Sequence, residues 1–216
     1  MKKFYLIRHA QSESNAGVAI RPNHAIALTE LGNAQACELS DWLIAHVPTP
    51  NQIFVSPYIR THQTAQPYLE KMGFYPVVID DLREFNYLDY ERVKDLDFAT
   101  LIKVADEFWA TADKDHTDSS TTDSFVNLVE RVVAVREMFD ELPDGNYIVF
   151  THGMWLGMLM WQMMLGYHGG ACPRLFQMAK FREFELAVRP KNCEVYLMIS
   201  NDGHSTITKV RARGDD

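Results

Sequence analysis

Short apolar runs punctuate this chain, and each gives way at once to polar or ionisable residues. Phe4-Tyr5-Leu6-Ile7 runs into Arg8-His9, Ile53-Phe54-Val55 into Ser56-Pro57, and Tyr147-Ile148-Val149-Phe150 into Thr151-His152-Gly153. Pro76-Val77-Val78-Ile79 leads in the same way into Asp80, Asp81, Arg83 and Glu84. Runs of this length suit strands buried on both faces of a parallel sheet. Longer stretches with helical spacing separate them. Residues 28–47 predict a helix starting at Thr29-Glu30, with Leu31, Ala34, Leu39, Leu43 and Val47 toward the core and Pro48 and Pro50 as its stop. A second helix should follow Ser56-Pro57, with proline in its first turn and Arg60 near its start. Residues 125–142 predict an amphipathic helix and residues 154–165 a buried one. Segments 194–199 and 206–210 read as closing strands, the latter alternating and suited to a sheet edge. The alternation of strand and helix predicts an α/β fold: a three-layer α/β/α arrangement around a mostly parallel central sheet, with the site gathered where the strands end.

Residues 84–123 break this rhythm. Ten acidic residues follow Glu84 there, against Arg92, Lys94, Lys103 and Lys114. Residues 96–109 have enough apolar positions for a helix, whereas residues 111–124 are polar and expected to be mobile. The chain 1–216 therefore reads as a single domain with a lid or subdomain inserted at about 85–124. A solvated helical excursion without substrate contact fits the same pattern.

An apolar content of 47% and 23% charged residues are ordinary for a globular protein, so composition leaves the fold reading unchanged. The formal charge of −8 changes the list of partners: broad nucleic-acid and anionic-membrane binding both need a basic surface. Cys37, Cys172 and Cys193 have no metal spacing and are odd in number, which predicts reduced thiols and a cytoplasmic setting, with Cys37 and Cys193 as packing residues. Lys2 and Lys3 precede too short an apolar run for a secretory signal, so the mature protein is expected to start here. Residues 154–165 fall short of the ~20 needed to span a bilayer, and their five methionines read as core filler.

The candidate chemistry begins with Arg8-His9. Imidazole can act near neutral pH as nucleophile, base or metal ligand, and a guanidinium holds phosphate or carboxylate oxygens in a planar fork. Arg60, near a helix start whose backbone N–H groups favour anions, would add to such a site. His9, Arg60, Glu84 and His152 all follow strands and should converge. His46, His62, His116, His168 and His204 show no ligand spacing, so no metal is expected.

Several motifs resemble one family, the histidine phosphatase superfamily in its phosphoglycerate mutase-like group. Arg8-His9-Ala10 resembles the opening Arg-His-Gly signature, with alanine where glycine is usual, and the likeness continues through Gln11-Ser12-Glu13-Ser14-Asn15. Leu28-Thr29-Glu30-Leu31-Gly32 with Gln35-Ala36 resembles the helix start that follows. Ser56-Pro57 with Arg60-Thr61 and Gln63-Thr64-Ala65 resembles the second signature, and Thr151-His152-Gly153 the final one. Glu84 falls where the family keeps its proton donor, with Asp81 and Asp89 as nearby competitors, and Asn192 falls where an asparagine is common before the late strand. Five signatures in the correct order make coincidence improbable.

The resemblance implies the roles. His9 would be the nucleophile and Glu84 the general acid and base. Arg8, Asn15, Arg60 and His152 would bind the phosphoryl oxygens. Arg21 and His24, in the loop after the first signature, are candidates for substrate contact, though a solvated loop fits equally. The implied activity is a metal-independent phosphomonoester hydrolase working through phosphohistidine, without a cofactor. Its expected partner is a small-molecule phosphomonoester or other phosphorylated substrate, with a homodimer left open. A phosphoglycerate mutase is the enzymatic alternative, disfavoured because Glu84 leads into Phe85-Asn86-Tyr87-Leu88 rather than Arg-His-Tyr-Gly and because the insert is acidic. A catalytically silent phosphate-binding module is the other.

Overall fold

The apolar runs assemble into one six-stranded sheet, seen in a computed structural model that describes residues 1–166, 172–201 and 203–212. The strands are β1 (Lys2–Arg8), β2 (Gln52–Val55), β3 (Val77–Val78), β4 (Gly145–Thr151), β5 (Val195–Asn201) and β6 (His204–Arg211), in spatial order β3-β2-β4-β1-β5-β6. β3, β2, β4 and β1 run parallel, while β5 pairs antiparallel with β1 and β6 antiparallel with β5. The fold is therefore α/β with a mostly parallel sheet, as the alternation predicts.

Alternate residues of each central strand feed two separate cores, the consequence of a side-chain period of two. Phe4, Leu6, Phe54, Tyr147 and Val149 pack on one face, beneath α5 (Phe125–Glu141) and α6 (Gly153–Met164). Tyr5, Ile7, Ile53, Val55, Ile148 and Phe150 pack on the other, beneath α1 (Glu30–His46) and α2 (Ile59–Met72). Both faces of β1 and β4 are thus covered, which lets their ends hold side chains rigidly. Between β3 and α5 lie α3 (Tyr90–Val93) and α4 (Phe98–Ala110), and α7 (Met178–Val188) precedes β5. No described helix is long and apolar enough to cross a membrane.

Several expectations need correction. The run Pro76–Ile79 is not a buried strand: only Val77 and Val78 pair, and they are 40% and 50% exposed, because β3 is the sheet edge and has a neighbour on one side only. Leu31 and Ala34 lie outside the core face of α1, Leu31 at 45% exposure. The buried face is Gly32, Gln35, Ala36, Leu39, Ser40 and Leu43. Polar contacts set that rotation: the Gln11 N–H donates to Gln35 Oε1 at 2.8 Å, and a Cβ on Gly32 would stand 2.0 Å from the Gln11 carbonyl oxygen. Pro57 lies ahead of α2, whose N-cap is Tyr58, and Cys37 is exposed.

Residues 111–124 are also not a loose polar loop. The Asp118 carboxylate accepts from the Asp89 N–H at 2.8 Å and pairs with Arg92, and Asp123 accepts from the Asn86 N–H and from Arg131 Nη2, both at 3.0 Å. Asp89 and Asp97 cap α3 and α4. Much of the acidity of the insert is thus engaged in holding its own backbone.

Because Gly32 presses on the loop that follows His9, Gly32→Ala should do more than add a methyl to a helix. The contact is with backbone, so relief requires shifting α1 or that loop. Overpacking of this kind typically costs about 1–3 kcal/mol. A lowered midpoint of thermal unfolding is expected; a midpoint equal to wild type would show that the close approach constrains nothing.

Candidate active site

His9 follows the last residue of β1, where its N–H donates to the Thr151 carbonyl of β4 at 3.0 Å. Nδ1 lies 2.7 Å from the Ala10 carbonyl oxygen, an acceptor, so the proton resides on Nδ1 and the lone pair on Nε2. Arg60 Nε faces that lone pair at 3.2 Å. Burial, then Arg60 and Arg8, hold the pKa of His9 well below that of an ordinary histidine, against a smaller upward effect of the Ala10 bond. His9 is consequently neutral with its Nε2 unprotonated. Ala10, in place of the glycine usual in the resembled signature, is fully buried, and its N–H donates to Thr64 Oγ1 at 3.0 Å.

Two arginines flank the ring. Arg60 is buried near the start of α2, its guanidinium 5.0 Å from the Tyr58 ring centroid, with Nη2 donating to Asn23 Oδ1 at 3.0 Å and Nη1 to the Asn23 carbonyl. Burial lowers its pKa to about 10, partly offset by Glu84 and Tyr58, so it stays charged at neutral pH. Arg8 ends β1 and donates through Nη1 to the Pro190 carbonyl, while its Nε finds no hydrogen-bond acceptor among the described residues. A Cβ on Gly153 would stand 3.3 Å from that Nε, so the first residue of α6 leaves room for the guanidinium.

His152, the residue before α6, is fully buried and sits edge-on to His9 with ring centroids 5.3 Å apart. Its Nε2 lies 2.7 Å from Ser56 Oγ, and its Nδ1 has no hydrogen-bond partner among the described residues. Burial first, then Arg60, His9 and Arg8, push its pKa well below the ordinary value. Asn15 accepts through Oδ1 from the Ser12 N–H at 3.2 Å and from Asn192 Nδ2 at 3.0 Å. Asn192 Nδ2 also donates to the His9 carbonyl at 2.8 Å, tying the late turn to the backbone of His9.

Glu84 is held by the first turn of α6. Its Oε2 accepts from the Met154 N–H at 3.1 Å, and its Oε1 from the Trp155 N–H at 3.2 Å and the Phe85 N–H at 3.0 Å. Trp155 Nε1 donates to the Asp81 carbonyl at 2.8 Å and Thr151 Oγ1 to the Leu82 carbonyl at 2.9 Å, which pins the segment before Glu84 against β4 and α6. Arg8, His9, Asn15, Arg60 and Glu84 line one cavity of about 260 Å³; Asp81 and Asp89 do not. Arg21 lies apart from this cavity, paired with Glu13 at 2.5 Å, and lines a wider chamber beyond it. His24 lines neither.

Sequence reasoning missed Asn23 and the cluster on α7. The buried Glu185 carboxylate pairs with Arg182 Nη1 at 2.8 Å and with Arg189 Nε at 2.8 Å, and Arg189 lines the cavity beside Glu185. Glu, Arg and Arg at i, i−3 and i+4 read in a sequence as a solvated helix face, so nothing flagged them. Among the described residues no group of three or more His, Cys, Asp or Glu could hold a metal; His168 lies outside them.

The two buried neutral histidines carry a consequence for stability. An unfolded histidine takes up a proton near pH 6.5, whereas His9 and His152 resist protonation until well below that value. Below about pH 6.5 the unfolded state binds more protons, so stability falls as pH falls, by about 1.4 kcal/mol per pH unit for each histidine. Denaturant unfolding should show a gentler loss between about pH 6 and pH 5 in His9→Gln than in wild type. Identical slopes would mean that His9 titrates alike in both states.

Residues 4–210 match the family model of the histidine phosphatase superfamily, branch 1. A probable phosphoglycerate mutase of Erwinia tasmaniensis is 30% identical over 183 residues, 81% of this chain and 80% of that protein. The mycobacterial glucosyl-3-phosphoglycerate phosphatase solved with VO3 superposes with a TM-score of 0.71 at 20% identity, covering 97% of this chain and 98% of the other. The alpha-ribazole phosphatase of Shigella flexneri gives 0.71 at 18% identity, with 97% and 96% covered. At such identities these two structures speak to the fold alone.

Proposed function

The chain belongs to the histidine phosphatase superfamily, and from that premise we propose that it is a phosphomonoester hydrolase in which His9 forms a phosphohistidine and Glu84 shuttles the proton. The observation that carries this reading is the state of His9. A backbone carbonyl fixes the proton on Nδ1, and the unprotonated Nε2 faces Arg60.

In the first half-reaction the Nε2 lone pair attacks phosphorus, the bond from phosphorus to the ester oxygen breaks, and the departing oxygen takes a proton from Glu84. In the second, water attacks phosphorus, Glu84 receives the proton of that water, and the bond from phosphorus to nitrogen breaks. Arg8 and Arg60 supply the positive charge that the three equatorial oxygens need as charge spreads over them, with His152 and Asn15 as neutral partners. In this reading the charge stabilisation falls to the two guanidinium groups.

A mutase is the second reading, favoured by the Erwinia relative. It uses the same His9 chemistry but returns the phosphoryl group to a second oxygen of the substrate instead of to water. Rapid quenching with labelled phosphomonoester, followed by release of inorganic phosphate and by conversion between 2- and 3-phosphoglycerate, separates the two. Hydrolysis through an acid-labile adduct supports the phosphatase. Isomer conversion faster than phosphate release overturns it in favour of the mutase, and no adduct at all overturns both.

A further inference from the structure

The inner cavity opens into a second chamber of about 820 Å³, far more than a three-carbon phosphoester requires, and the residues common to both include Asn15, Phe85, Tyr87, Met154 and Arg189. One wall is α4. Phe98, Leu101, Ile102 and Ala105 recur at i, i+3, i+4 and i+7, the spacing of a single helix face, and all four line the chamber. Such a stripe ordinarily lies against a core. Here it faces open space, with Ile102 60% exposed, while Phe108 and Trp109 of the same helix reach the true core. Ile20 and Ile26, from the loop after β1, line it too.

The arginines of this chamber are already engaged. They are Arg21, Arg182 and Arg189; Glu13 pairs with the first and the single Glu185 with the other two, while Asp106 is the carboxylate that lines the wall itself. Each lining guanidinium thus already has a carboxylate partner. The inner cavity has Arg8 and Arg60 beside Glu84, and shares Arg189 with the chamber, next to Glu185. A second anionic group on the substrate, such as a carboxylate, would have to displace one of these ion pairs to reach a guanidinium, whereas hydrocarbon would find an apolar helix face.

We propose that the chamber binds the alcohol portion of the substrate, and that this alcohol is uncharged, largely apolar and several carbons long, lying along α4 with its phosphate between Arg8 and Arg60. The assignment rests on the hydrolase reading above for the seat of the phosphate, and it deepens that reading by naming the substrate class.

Linear alkyl phosphonates from two to eight carbons, which cannot be hydrolysed, test it by calorimetry on the whole protein. Each added methylene should tighten binding roughly fourfold until the chamber is filled, and the heat-capacity change should grow more negative along the series. Leu101→Asp should flatten the dependence on length and Leu101→Met should keep it. A Kd independent of chain length, absence of binding along the whole series, or 3-phosphoglycerate outcompeting the octyl compound would overturn the assignment. Binding of a phosphonate involves no turnover, so a steep series in a protein that forms no phosphohistidine would leave the chamber standing and remove the mechanism.

Discussion

His9→Ala should abolish phosphate release, with a loss on the order of 10⁶-fold, the scale seen when an enzyme's nucleophile is removed. The expectation comes from what surrounds the ring. The side chains that share the inner cavity with His9 include arginines, Asn15, two serines and glutamates, and the arginines are too basic to act as nucleophiles. His152 is the nearest other imidazole, but its Nε2 is bonded to Ser56 Oγ and the ring is fully buried. Arg8 and Arg60 remain in the variant, so substrate should still bind. The signature is therefore a collapsed kcat with nearly unchanged affinity for a phosphonate, and no acid-labile label after rapid quenching. Arg60→Ala should differ in kind, losing about 10²–10³-fold as for one oxyanion donor, and weakening phosphonate binding at the same time. Substantial turnover by His9→Ala purified free of wild type would refute the histidine mechanism whatever the arginines do.

How much of this site could be read from the chain follows from what each residue needs. His9, Arg60, Glu84 and His152 were visible because each stands a few residues beyond an apolar run, and a strand end is a place that sequence periodicity can locate. The convergence of Arg8, His9, Arg60 and Glu84 on one cavity then follows from β2, β4 and β1 being parallel neighbours. What failed depended on neighbours distant in sequence. Val77 and Val78 look like a buried strand until the sheet order puts them at an edge. The face of α1 is turned by Gln11, whose carbonyl and N–H meet Gly32 and Gln35, and hydrophobic spacing alone cannot register a polar contact of that sort. Residues 96–109 were legible as a helix, but that one of its faces borders a chamber instead of a core is decided by the loop carrying Ile20 and Ile26. Arg182 and Arg189 gave no sign at all, because the carboxylate that joins them lies on their own helix and is buried by the approach of Gly157, whose Cβ position is 3.2 Å from Glu185 Cγ.

Glu84→Gln should separate the departure of the alcohol from the arrival of water. Glutamine cannot donate a proton as an acid, so an alkyl phosphate, whose alkoxide leaves badly, should lose most of its turnover, on the order of 10²–10⁴-fold. An aryl phosphate, whose phenolate leaves without help, should still phosphorylate His9. Its second step should nonetheless slow, because no carboxylate takes the proton from water, and phosphohistidine should accumulate during turnover of the aryl ester. The substitution is not silent structurally. Glu84 accepts from the N–H groups of Phe85, Met154 and Trp155, and the amide of glutamine offers one oxygen where the carboxylate offers two. Some loss in thermal midpoint is therefore expected, and the aryl ester acts as the internal control, since a merely displaced α6 would slow phosphorylation by both esters alike. Asp89→Asn is the second control: Asp89 caps α3 by accepting from the Glu91 N–H at 2.9 Å and lies outside the cavity, so it should show no dependence on the leaving group. If Glu84→Gln lowers alkyl and aryl turnover equally and traps no intermediate, the carboxylate is a cap on α6 and not the proton shuttle. The search for the acid would then move to Glu185, the other carboxylate that lines the cavity.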